Sequence, residues 1–403
     1  MSELSKQNGC RCTAPPKASN PSGAAMEMFP VLSPAGNNEP CCGAPAGPPS
    51  SPYERPGYTL CPFVKGFVQT PVGAVPRVGT TLHRRDRLGA ARVRLGIGRN
   101  DYKVAPGIYA AGIPDRDAPV LVTANYKLTF DAVRRCLGET AAWLLVLDTC
   151  GINVWCAAGK GAFSTQELVR RVRSTRLAEL VHHRRLILPQ LGATGVAARM
   201  VKKACGFEVV WGPVRAADIP VFLSAPPESD TAMRRVTFTL PERLVLVPFE
   251  LMMLRKYILP VLAGLFVLSG IGPPIFSIAA AWERGFAAAA AAAAGIFAGS
   301  IMVPALLPWI PGRAFAVKGI VAGLFLGLLL GGLLWDTPRI STLSGSGLVL
   351  LTTVLSSFLA MNFTGCTPFT SPSGVEKEMR HAIPLQAAAV LLAAGLWIGG
   401  AFA

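Results

Sequence analysis

The segment Asp148–Gly161, with the sequence DTCGINVWCAAGKG, combines a cysteine with a helix-capping residue and several small side chains. Asn153 is a favourable N-cap, so we expect a short helix that begins at Val154 and carries Cys156 in its first turn. Unpaired backbone N–H groups there, together with the charge of Lys160 one turn later, should lower the pKa of the thiol. The segment therefore predicts a reactive thiolate, suited to be a nucleophile or a soft metal ligand.

Four residues in and just after this predicted helix have almost no side chain: Ala157, Ala158, Gly159 and Gly161. Such a helix can lie flat against a large planar partner, with Cys156 projecting as the ligand. The alternative is a structural cysteine packed on a small-residue helix. We expect Trp155 to pack the helix against a sheet and Asn153 to act mainly as the cap.

Spacing excludes two other motifs. Gly159-Lys160-Gly161 is not a phosphate loop, because no glycine stands five residues before Gly159 and no serine or threonine follows Lys160. Cys150 and Cys156 are six residues apart, which excludes a Cys-x-x-Cys redox motif. The cysteines are not spaced for an iron–sulfur cluster either.

Alternating strands and helices are predicted around this segment. Short apolar runs predict buried parallel strands at Val120–Thr123, Trp143–Asp148, Leu186–Leu188 and Phe207–Trp211. Helical patterns lie between them at Thr129–Leu137, Ser164–Val172 and Val196–Cys205, the second with a capping box formed by Ser164 and Glu167. This order predicts a Rossmann-like, doubly wound α/β sheet.

Ligands of such sheets bind beyond the carboxyl ends of the strands, and Cys156 follows the second predicted strand. Thr123 and Asn125 stand at the end of the first strand, so both are candidate cofactor contacts, with a simple turn role as the alternative. Residues Thr231–Leu240 predict one further strand.

The chain divides into two halves of different composition. Residues 258–403 contain four acids and six bases, whereas residues 1–257 contain 19 acids and 33 bases. A membrane span needs about 20 apolar residues, and five apolar stretches are candidates: Tyr257–Trp282, Gly285–Ile310, Ala314–Trp335, Gly345–Met361 and Ile383–Phe402. We therefore predict three regions: a disordered Pro/Gly-rich arm (1–57), an α/β domain (58–245) and an all-α transmembrane domain (246–403). A fully cytosolic enzyme and a secreted disulfide scaffold are excluded.

The basic residues between the spans predict an orientation. Pairs of bases alternate with loops that hold one base each, Arg284 and Arg339. The positive-inside rule places the α/β domain in the cytoplasm and the C-terminus outside the cell membrane. Lys318 near the start of the third span is expected to snorkel to the interface.

The N-terminal arm is considered for two roles, a signal peptide and a metal site. Met1–Pro15 lacks the apolar core of a signal peptide. The arm cysteines are candidate soft-metal ligands, with dispensable tail cysteines as the alternative.

Two arginine-rich stretches, Arg84–Arg99 and Arg170–Arg185, invite comparison with nucleic-acid-binding proteins. They lack interleaved aromatic residues and belong to a domain tethered to a membrane. Attraction to anionic lipid or to an acidic redox partner is the better interpretation, and nucleic acid is not an expected partner.

Residues Asn153–Gly161 resemble, without a gap, the cap-helix motif of the mercury-methylating corrinoid proteins of the HgcA family. Val122–Phe130, Leu188–Ala193 and Gly212–Ala216 are similar to the same family. The loop Asn362–Met379 resembles it too, and is also similar to a segment of the large subunit of the corrinoid iron–sulfur protein. The resemblance covers roughly residues 60–403. Cys150 and the N-terminal arm depart from the pattern.

The resemblance implies that Cys156 is the lower axial ligand of a corrinoid cobalt and the catalytic residue. It implies methyl transfer from cobalt to Hg(II), which gives methylmercury. A ferredoxin-like iron–sulfur protein would supply electrons and a folate-linked methyltransferase the methyl group. The expected corrinoid contacts, together with Thr123 and Asn125, are the motif residues Asn153, Val154, Trp155, Cys156, Ala157, Ala158, Gly159, Lys160 and Gly161.

Two alternatives stay open. One is a membrane-anchored corrinoid methyl carrier of acetyl-CoA-pathway one-carbon metabolism, without a mercury role. The other is a thiol-rich soft-metal permease that uses the cysteines of the arm; the absence of intramembrane ligands in the predicted spans disfavours it.

Overall fold

A mixed α/β sheet domain is followed by a helical region with five long apolar helices, as the sequence predicts. The computed structural model describes residues 61–224, 231–334, 340–363 and 372–403. The predicted arm and residues 364–371 of the loop Asn362–Met379 lie outside these ranges.

Seven strands form the sheet in the order β1-β2-β3-β5-β4-β6-β7. Their bounds are β1 Val64–Thr70, β2 Gly73–Val78, β3 Gly107–Ala111, β4 Val120–Ala124, β5 Ala142–Leu147, β6 Arg185–Leu188 and β7 Glu208–Trp211. The last four are mutually parallel and match the four predicted strands. β3 runs antiparallel to β5, and the hairpin β1–β2 extends the sheet beyond β3. The sequence analysis missed these three strands.

Helices cover both faces of the sheet: α1 Arg84–Arg94, α2 Lys127–Leu137, α3 Val154–Gly159, α4 Thr165–Ser174, α5 Leu177–Leu180, α6 Ala198–Cys205 and α7 Ile219–Ser224. Phe130 of α2 packs on one face with Leu144 of β5. On the other face, Leu168 of α4 and Val201 of α6 pack with Leu145. The chain thus leaves β4 and β5 toward opposite faces, which opens a crevice at their carboxyl ends.

The predicted strand at Thr231–Leu240 is wrong. This segment forms a single 3-10 turn at Thr231–Arg234 and then leads into α8 Leu240–Leu244. Thr239 and Glu242 form a capping box, and Pro241 stands in the first turn, where its missing N–H is tolerated. These helix-start signals outweigh the β-propensity of the valine and threonine residues before them.

The C-terminal helical region contains α9 Val247–Gly270, α10 Ile278–Phe297, α11 Val303–Ala305, α12 Phe315–Leu334, α13 Thr342–Asn362 and α14 Pro372–Gly399. Five of its helices are long and apolar enough to span a membrane. The first two of these helices begin before the predicted spans do. The boundary between them also differs from the prediction, because Gly272-Pro273-Pro274 ends the first helical stretch. This segment forms a short hairpin, β8 Ile271–Gly272 and β9 Ile275–Phe276. A π-helical turn at Ala298–Met302 joins α10 to α11.

One basic residue of this region does not lie where the sequence analysis placed it. Arg284 is not in a loop but inside α10, buried, where it donates to the carbonyls of Ile271 (3.2 Å) and Trp397. Lys318 lies at the start of α12, and its buried amine donates to the carbonyls of Leu307 (3.0 Å) and Ile310, in the segment before that helix. Its expected position at a membrane interface stays a prediction. In both cases carbonyls near helix ends replace water as hydrogen-bond acceptors.

A buried ionic network fixes α1 and α2 to the sheet. Arg134 is fully buried and binds both Asp86 (Nη2–Oδ2 2.9 Å) and Asp131 (Nε–Oδ1 2.8 Å). Lys127 binds the same two carboxylates at 2.7 and 2.6 Å. Burial alone would raise the pKa of Asp86, but hydrogen bonds from Lys127 and the His83 backbone N–H, with the charge of Arg134, hold it at about 2.

This network predicts acid sensitivity. Asp86 contributes its full stabilisation above its ordinary pKa of 3.8, and this contribution is lost as the pH falls through its pKa in the folded protein, about 2. The difference between the two pKa values corresponds to about 2 kcal/mol of unfolding free energy. Thermal unfolding followed from pH 5 to pH 2 should show this loss in the wild type. The Asp86→Asn variant should be less stable at pH 5 and show a flatter pH dependence, whereas exposed Glu139→Gln should behave as wild type. An equal change of the unfolding temperature with pH in all three proteins would contradict the prediction.

Candidate functional site

Asn125, at the end of β4, organises the loop that precedes Cys156. Its side chain is fully buried, and its Oδ1 accepts hydrogen bonds from the backbone N–H groups of Thr149 and Gly151 (both 3.0 Å) and from the Thr149 hydroxyl (2.8 Å). Its Nδ2 donates to Asp148 Oδ1 at 3.0 Å. These hydrogen bonds show that Asn125 holds the turn, and its assignment as a cofactor contact stays a prediction.

Asp148 and Glu167 hold the same loop from its other side. The backbone N–H of Asp148 donates to Glu167 Oε1 at 2.9 Å, and Asp148 Oδ1 accepts from the N–H of Cys150 at 3.2 Å. Ser164 caps α4 through the N–H of Glu167 (3.3 Å), but the Glu167 carboxylate is not bound back to the cap as the predicted capping box requires. It binds the loop and two arginines, Arg170 and Arg171.

The backbone turns sharply at Cys150 and Gly151, which have φ values of 55° and 77°. The left-handed conformation is open to glycine but costs energy at a residue with a Cβ, so the hydrogen bonds to Asn125 and Asp148 must maintain it. A side chain at Gly151 would also approach the Asn100 carbonyl oxygen to 3.2 Å. The loop therefore has one well-defined shape, which sets the entry direction of α3.

Cys156 lies in the first turn of α3, as predicted. The Asn153 side chain accepts from the Cys156 N–H at 2.8 Å and caps the helix. The Cys156 side chain is half-buried and forms no disulfide with another described cysteine. The cap fixes the backbone from which the sulfur projects, because it restrains the rotation of α3 about its own axis.

A groove opens beside the Cys156 sulfur. It is lined by Arg99, Asn100, Tyr126, Gly151, Ile152, Asn153, Cys156 and Lys160. Arg99 and Lys160 make it basic. Burial raises the pKa of the Tyr126 phenol, and this effect outweighs the charges of Arg99 and Arg94, which lower it. Tyr126 is therefore protonated at neutral pH and can donate a hydrogen bond in the groove.

The sheet-facing side of α3 is packed closely, and its exposed end is open. Ala157 and Ala158 are buried in the core. Gly195, in the loop after β6, lies close to the end of α3, and a side chain at this glycine would meet the Phe163 carbonyl oxygen at 2.1 Å. By contrast, side chains at Gly159 or Gly161 would meet no atom within 4 Å. The small residues thus divide into two pairs, one that lets α3 pack and one that leaves space for a ligand.

This arrangement fits a corrinoid. A single soft donor projects from a rigid turn, and the nearby positions Gly159 and Gly161 carry no side chain that would obstruct a planar ring. Within the described ranges, no three His, Cys, Asp or Glu side chains are grouped to hold a metal ion. Among the residues that line the groove, Cys156 is the one that would offer a soft donor atom to a bound cobalt.

Trp155 does not pack α3 against the sheet, which corrects the sequence analysis. It is 40% exposed, whereas Val154 before it is buried in the core. Successive helical residues point in directions about 100° apart. Since Val154 and Ala157 occupy the core side, Trp155 is directed outward beside the open end of the helix. Its assignment as a cofactor contact stays a prediction.

Thr123 lies on the other face of the sheet. Val122 and Ala124 face the core beneath α3, so alternation along β4 directs Thr123 toward α2. It is 1% exposed, and its hydroxyl has no hydrogen-bond partner among the described residues. The structure therefore does not bring Thr123 next to Cys156, unlike the motif residues 153–161.

Arg99, Asn100 and Tyr126 are groove residues that the sequence analysis did not identify. Arg99 and Asn100 lie in a 3-10 turn, Arg99–Asp101, that packs on the end of β4 through the Lys103–Tyr126 bridge. No spacing in the sequence links this turn to Cys156, about 55 residues later. Tyr126 had a signal, because it directly follows Asn125 at the end of a predicted strand.

Comparison with known proteins shows similarity in this domain. Residues 98–223 match the family described as the CO dehydrogenase/acetyl-CoA synthase delta subunit. The gamma subunit of the acetyl-CoA decarbonylase/synthase complex of Methanopyrus kandleri is 34% identical over 127 residues, which are 31% of this chain and 27% of that protein. The corrinoid/iron-sulfur protein large subunit of Moorella thermoacetica is 31% identical over 116 residues, or 28% and 26% of the two chains.

These matches span about a quarter of the length of the relatives. They confirm a relation to the large subunit of the corrinoid iron–sulfur protein, whereas the likeness of the loop Asn362–Met379 to that subunit stays a prediction. The family match includes Arg99, Asn125 and Cys156, so all the groove residues lie in the shared region. The likeness of residues 153–161 to the HgcA family is a separate feature and stays a prediction.

Proposed function

We propose that this chain is a membrane-associated corrinoid protein of methyl transfer, in which the Cys156 thiolate is the lower axial ligand of cobalt. The observation that carries the proposal is the placement of Cys156 on a capped helix turn at the carboxyl edge of a sheet, within residues 98–223 that match the CO dehydrogenase/acetyl-CoA synthase delta subunit family. A single ordered sulfur beside open glycine positions is the geometry that a planar cobalt complex requires.

Each residue of the groove has a definite task in this proposal. Asn153 holds the Cys156 backbone, and the loop pinned by Asn125 fixes the helix direction. Gly159 and Gly161 leave room for the ring, and exposed Trp155 covers part of its edge. Arg99 and Lys160 stabilise the thiolate and attract negatively charged groups of the cofactor. When bound, the corrinoid supplies the cobalt–carbon chemistry.

We further propose Hg(II) as the methyl acceptor. The support is the nine-residue motif at 153–161 and the donor strength of sulfur, since axial-ligand identity strongly affects the electronics of a bound metal. A strongly donating thiolate favours departure of the methyl group with its bonding electrons to a soft acceptor. In this transfer Hg(II) would gain CH₃⁻, and the cobalt would lose its methyl group together with both electrons of the cobalt–carbon bond.

The second candidate is a membrane-anchored methyl carrier of acetyl-CoA-pathway one-carbon metabolism. The names of the relatives favour it over mercury methylation, because they are subunits of an acetyl-CoA decarbonylase/synthase complex and of a corrinoid/iron-sulfur protein. Both candidates share the corrinoid and the membrane helices, so they differ only in the methyl acceptor.

The remaining parts of the proposal concern partners and location. The chain would sit in the cell membrane with the corrinoid domain, residues 58–245, in the cytoplasm, and residues 246–403 would form the transmembrane domain. A ferredoxin-like iron–sulfur protein would reduce the cobalt after transfer, and a methyltransferase using a folate-linked methyl donor would restore the methyl group. The support for the location is the five apolar helices, and the support for the orientation is the basic residues near their ends, without Arg284, which is buried in α10. The support for the partners is the resemblance of residues 153–161.

The function is tested on the full chain purified in detergent. We expect about one cobalt per chain and a corrinoid absorption spectrum. Methyl-loaded protein is then offered Hg(II) or an acetyl-CoA synthase preparation in parallel. Methylmercury formation supports the mercury role, and methyl transfer to the synthase alone supports the carrier role. Protein that binds no corrinoid when reconstituted with it would refute both.

A further inference from the structure

The outer face of α1 carries an apolar stripe. At about 100° per residue, Arg84, Leu88, Ala91 and Leu95 project from one side of this helix and its C-cap. Leu88 is 65% exposed and Leu95 38%, although both are large apolar residues. Ile97, just beyond the helix, is 39% exposed. A surface helix normally turns such residues toward the core.

Arginines flank this stripe on both sides. By the same geometry, Arg85 and Arg92 lie along one edge and Arg87 and Arg94 along the other, and all four are exposed. The one acid of α1, Asp86, points the opposite way into the buried ionic network. The outer face is therefore apolar along its centre, strongly basic at its edges and free of α1 carboxylates.

The C-terminal end of α1 contacts the first membrane helix. A side chain at Gly96 would touch the Phe249 ring of α9 at 3.3 Å. The guanidinium of Arg99 lies 4.5 Å from the centre of the same ring. Residues 255–257 (Arg-Lys-Tyr) lie about 9–12 Å beyond Phe249 along the axis of α9. From Tyr257 onward, α9 exposes mainly apolar side chains. The end of α1 is thus close to the level at which α9 would enter the bilayer.

We propose that the outer face of α1, defined as Arg84–Arg94 with Leu95 and Ile97, lies on the membrane surface and binds anionic phospholipid headgroups. An apolar stripe between rows of arginines is the pattern of a helix that lies in the interface plane. The stripe inserts among the acyl chains near the headgroups, and the arginines bind the phosphates. The occupant is lipid because the surface is continuous with a helix long and apolar enough to span the membrane.

The basic helix α6 supports this choice by contrast. It exposes Arg199, Lys202 and Lys203 but no large apolar residue. Its charge without an apolar stripe does not favour insertion into lipid, so α6 serves as an internal control of similar charge. Lipid binding by α1 would also position the Cys156 groove, because Arg99 contacts Phe249 and lines that groove. The proposal depends on the chain spanning a membrane and not on the bound cofactor.

The test uses the full chain in lipid nanodiscs, with Leu88 replaced by the photoreactive amino acid p-benzoylphenylalanine. After irradiation, mass spectrometry counts phospholipid adducts on the α1 peptide. We expect at least about fivefold more adduct in discs that contain phosphatidylglycerol than in pure phosphatidylcholine discs. Adding Arg87→Glu and Arg92→Glu should remove this difference, whereas Arg199→Glu and Lys203→Glu should leave it unchanged.

Three results would overturn the proposal. The first is equal adduct in both types of disc, and the second is adduct that falls as much with the α6 substitutions as with those in α1. The third is cross-linking in native membranes to an acidic protein in place of lipid, which would identify a protein as the occupant. None of these outcomes depends on corrinoid or on methyl transfer, so they are distinct from a failure of the proposed function.

Discussion

Replacing Cys156 by alanine is expected to remove the cobalt–thiolate absorption feature and to reduce methyl transfer to the proposed soft acceptor by more than about 100-fold. The substitution deletes only the sulfur. Its backbone N–H, which Asn153 accepts at 2.8 Å, remains in place, so α3 should keep its cap and the domain its fold. Absorption spectra of the reconstituted protein and initial rates of methyl transfer measure the two effects.

Cys205→Ala is the matched control for this experiment. Cys205 is also half-buried, but it lies on α6, where its thiol donates to the Val201 carbonyl at 3.3 Å. It should change neither the spectrum nor the rate. If Cys156→Ala bound corrinoid with an unchanged spectrum and transferred methyl groups at the wild-type rate, Cys156 would not be the axial ligand.

The second large effect is expected at Asn125, where leucine has nearly the size of the native side chain but no polar atoms. Asn125→Leu leaves the buried N–H groups of Thr149 and Gly151 without their acceptor, and Asp148 without one donor. Unpaired buried polar groups cost about 1–3 kcal/mol each, so the free energy of unfolding should fall by about 3 kcal/mol or more. The midpoint of thermal unfolding should fall by about 6–12 °C.

Asn153→Ala separates this effect from a general weakening of the site. It removes one hydrogen bond at a half-exposed helix cap, so it should cost about 1 kcal/mol. Both variants should weaken corrinoid binding, because each loosens the approach to Cys156. Equal unfolding midpoints for Asn125→Leu and the wild type would show that the loop does not depend on Asn125.

The local part of the site was predictable from sequence. Asn153 as cap, the start of α3 at Val154 and Cys156 in its first turn depend on side chains within four positions of one another. The parallel strands β4–β7 were predictable for a similar reason, since each is a short apolar run bounded by polar residues. Five apolar helices also followed from composition, although Gly272-Pro273-Pro274 moved the first boundary.

Other features depended on contacts between distant segments. Trp155 was expected to face the core, but which side of a six-residue helix is buried depends on how its loop enters the sheet. Arg284 was assigned to a loop, yet it is buried inside α10 and donates to the Ile271 carbonyl beyond the end of α9. The strands β1–β3 were missed because two of them form an edge hairpin and β3 pairs antiparallel to its neighbour, outside the alternating βα pattern.

The sequence by itself determined the two-part architecture and the presence of a capped cysteine at a strand end, because hydrophobic periodicity and helix capping act between residues close in the chain. Only the tertiary structure decided what surrounds that cysteine. Arg99, Tyr126 and Lys160 meet beside Cys156 because three separate loops converge at one edge of the sheet. Sheet order and loop packing create this convergence, and both arise from long-range contacts that leave no fixed spacing in the sequence.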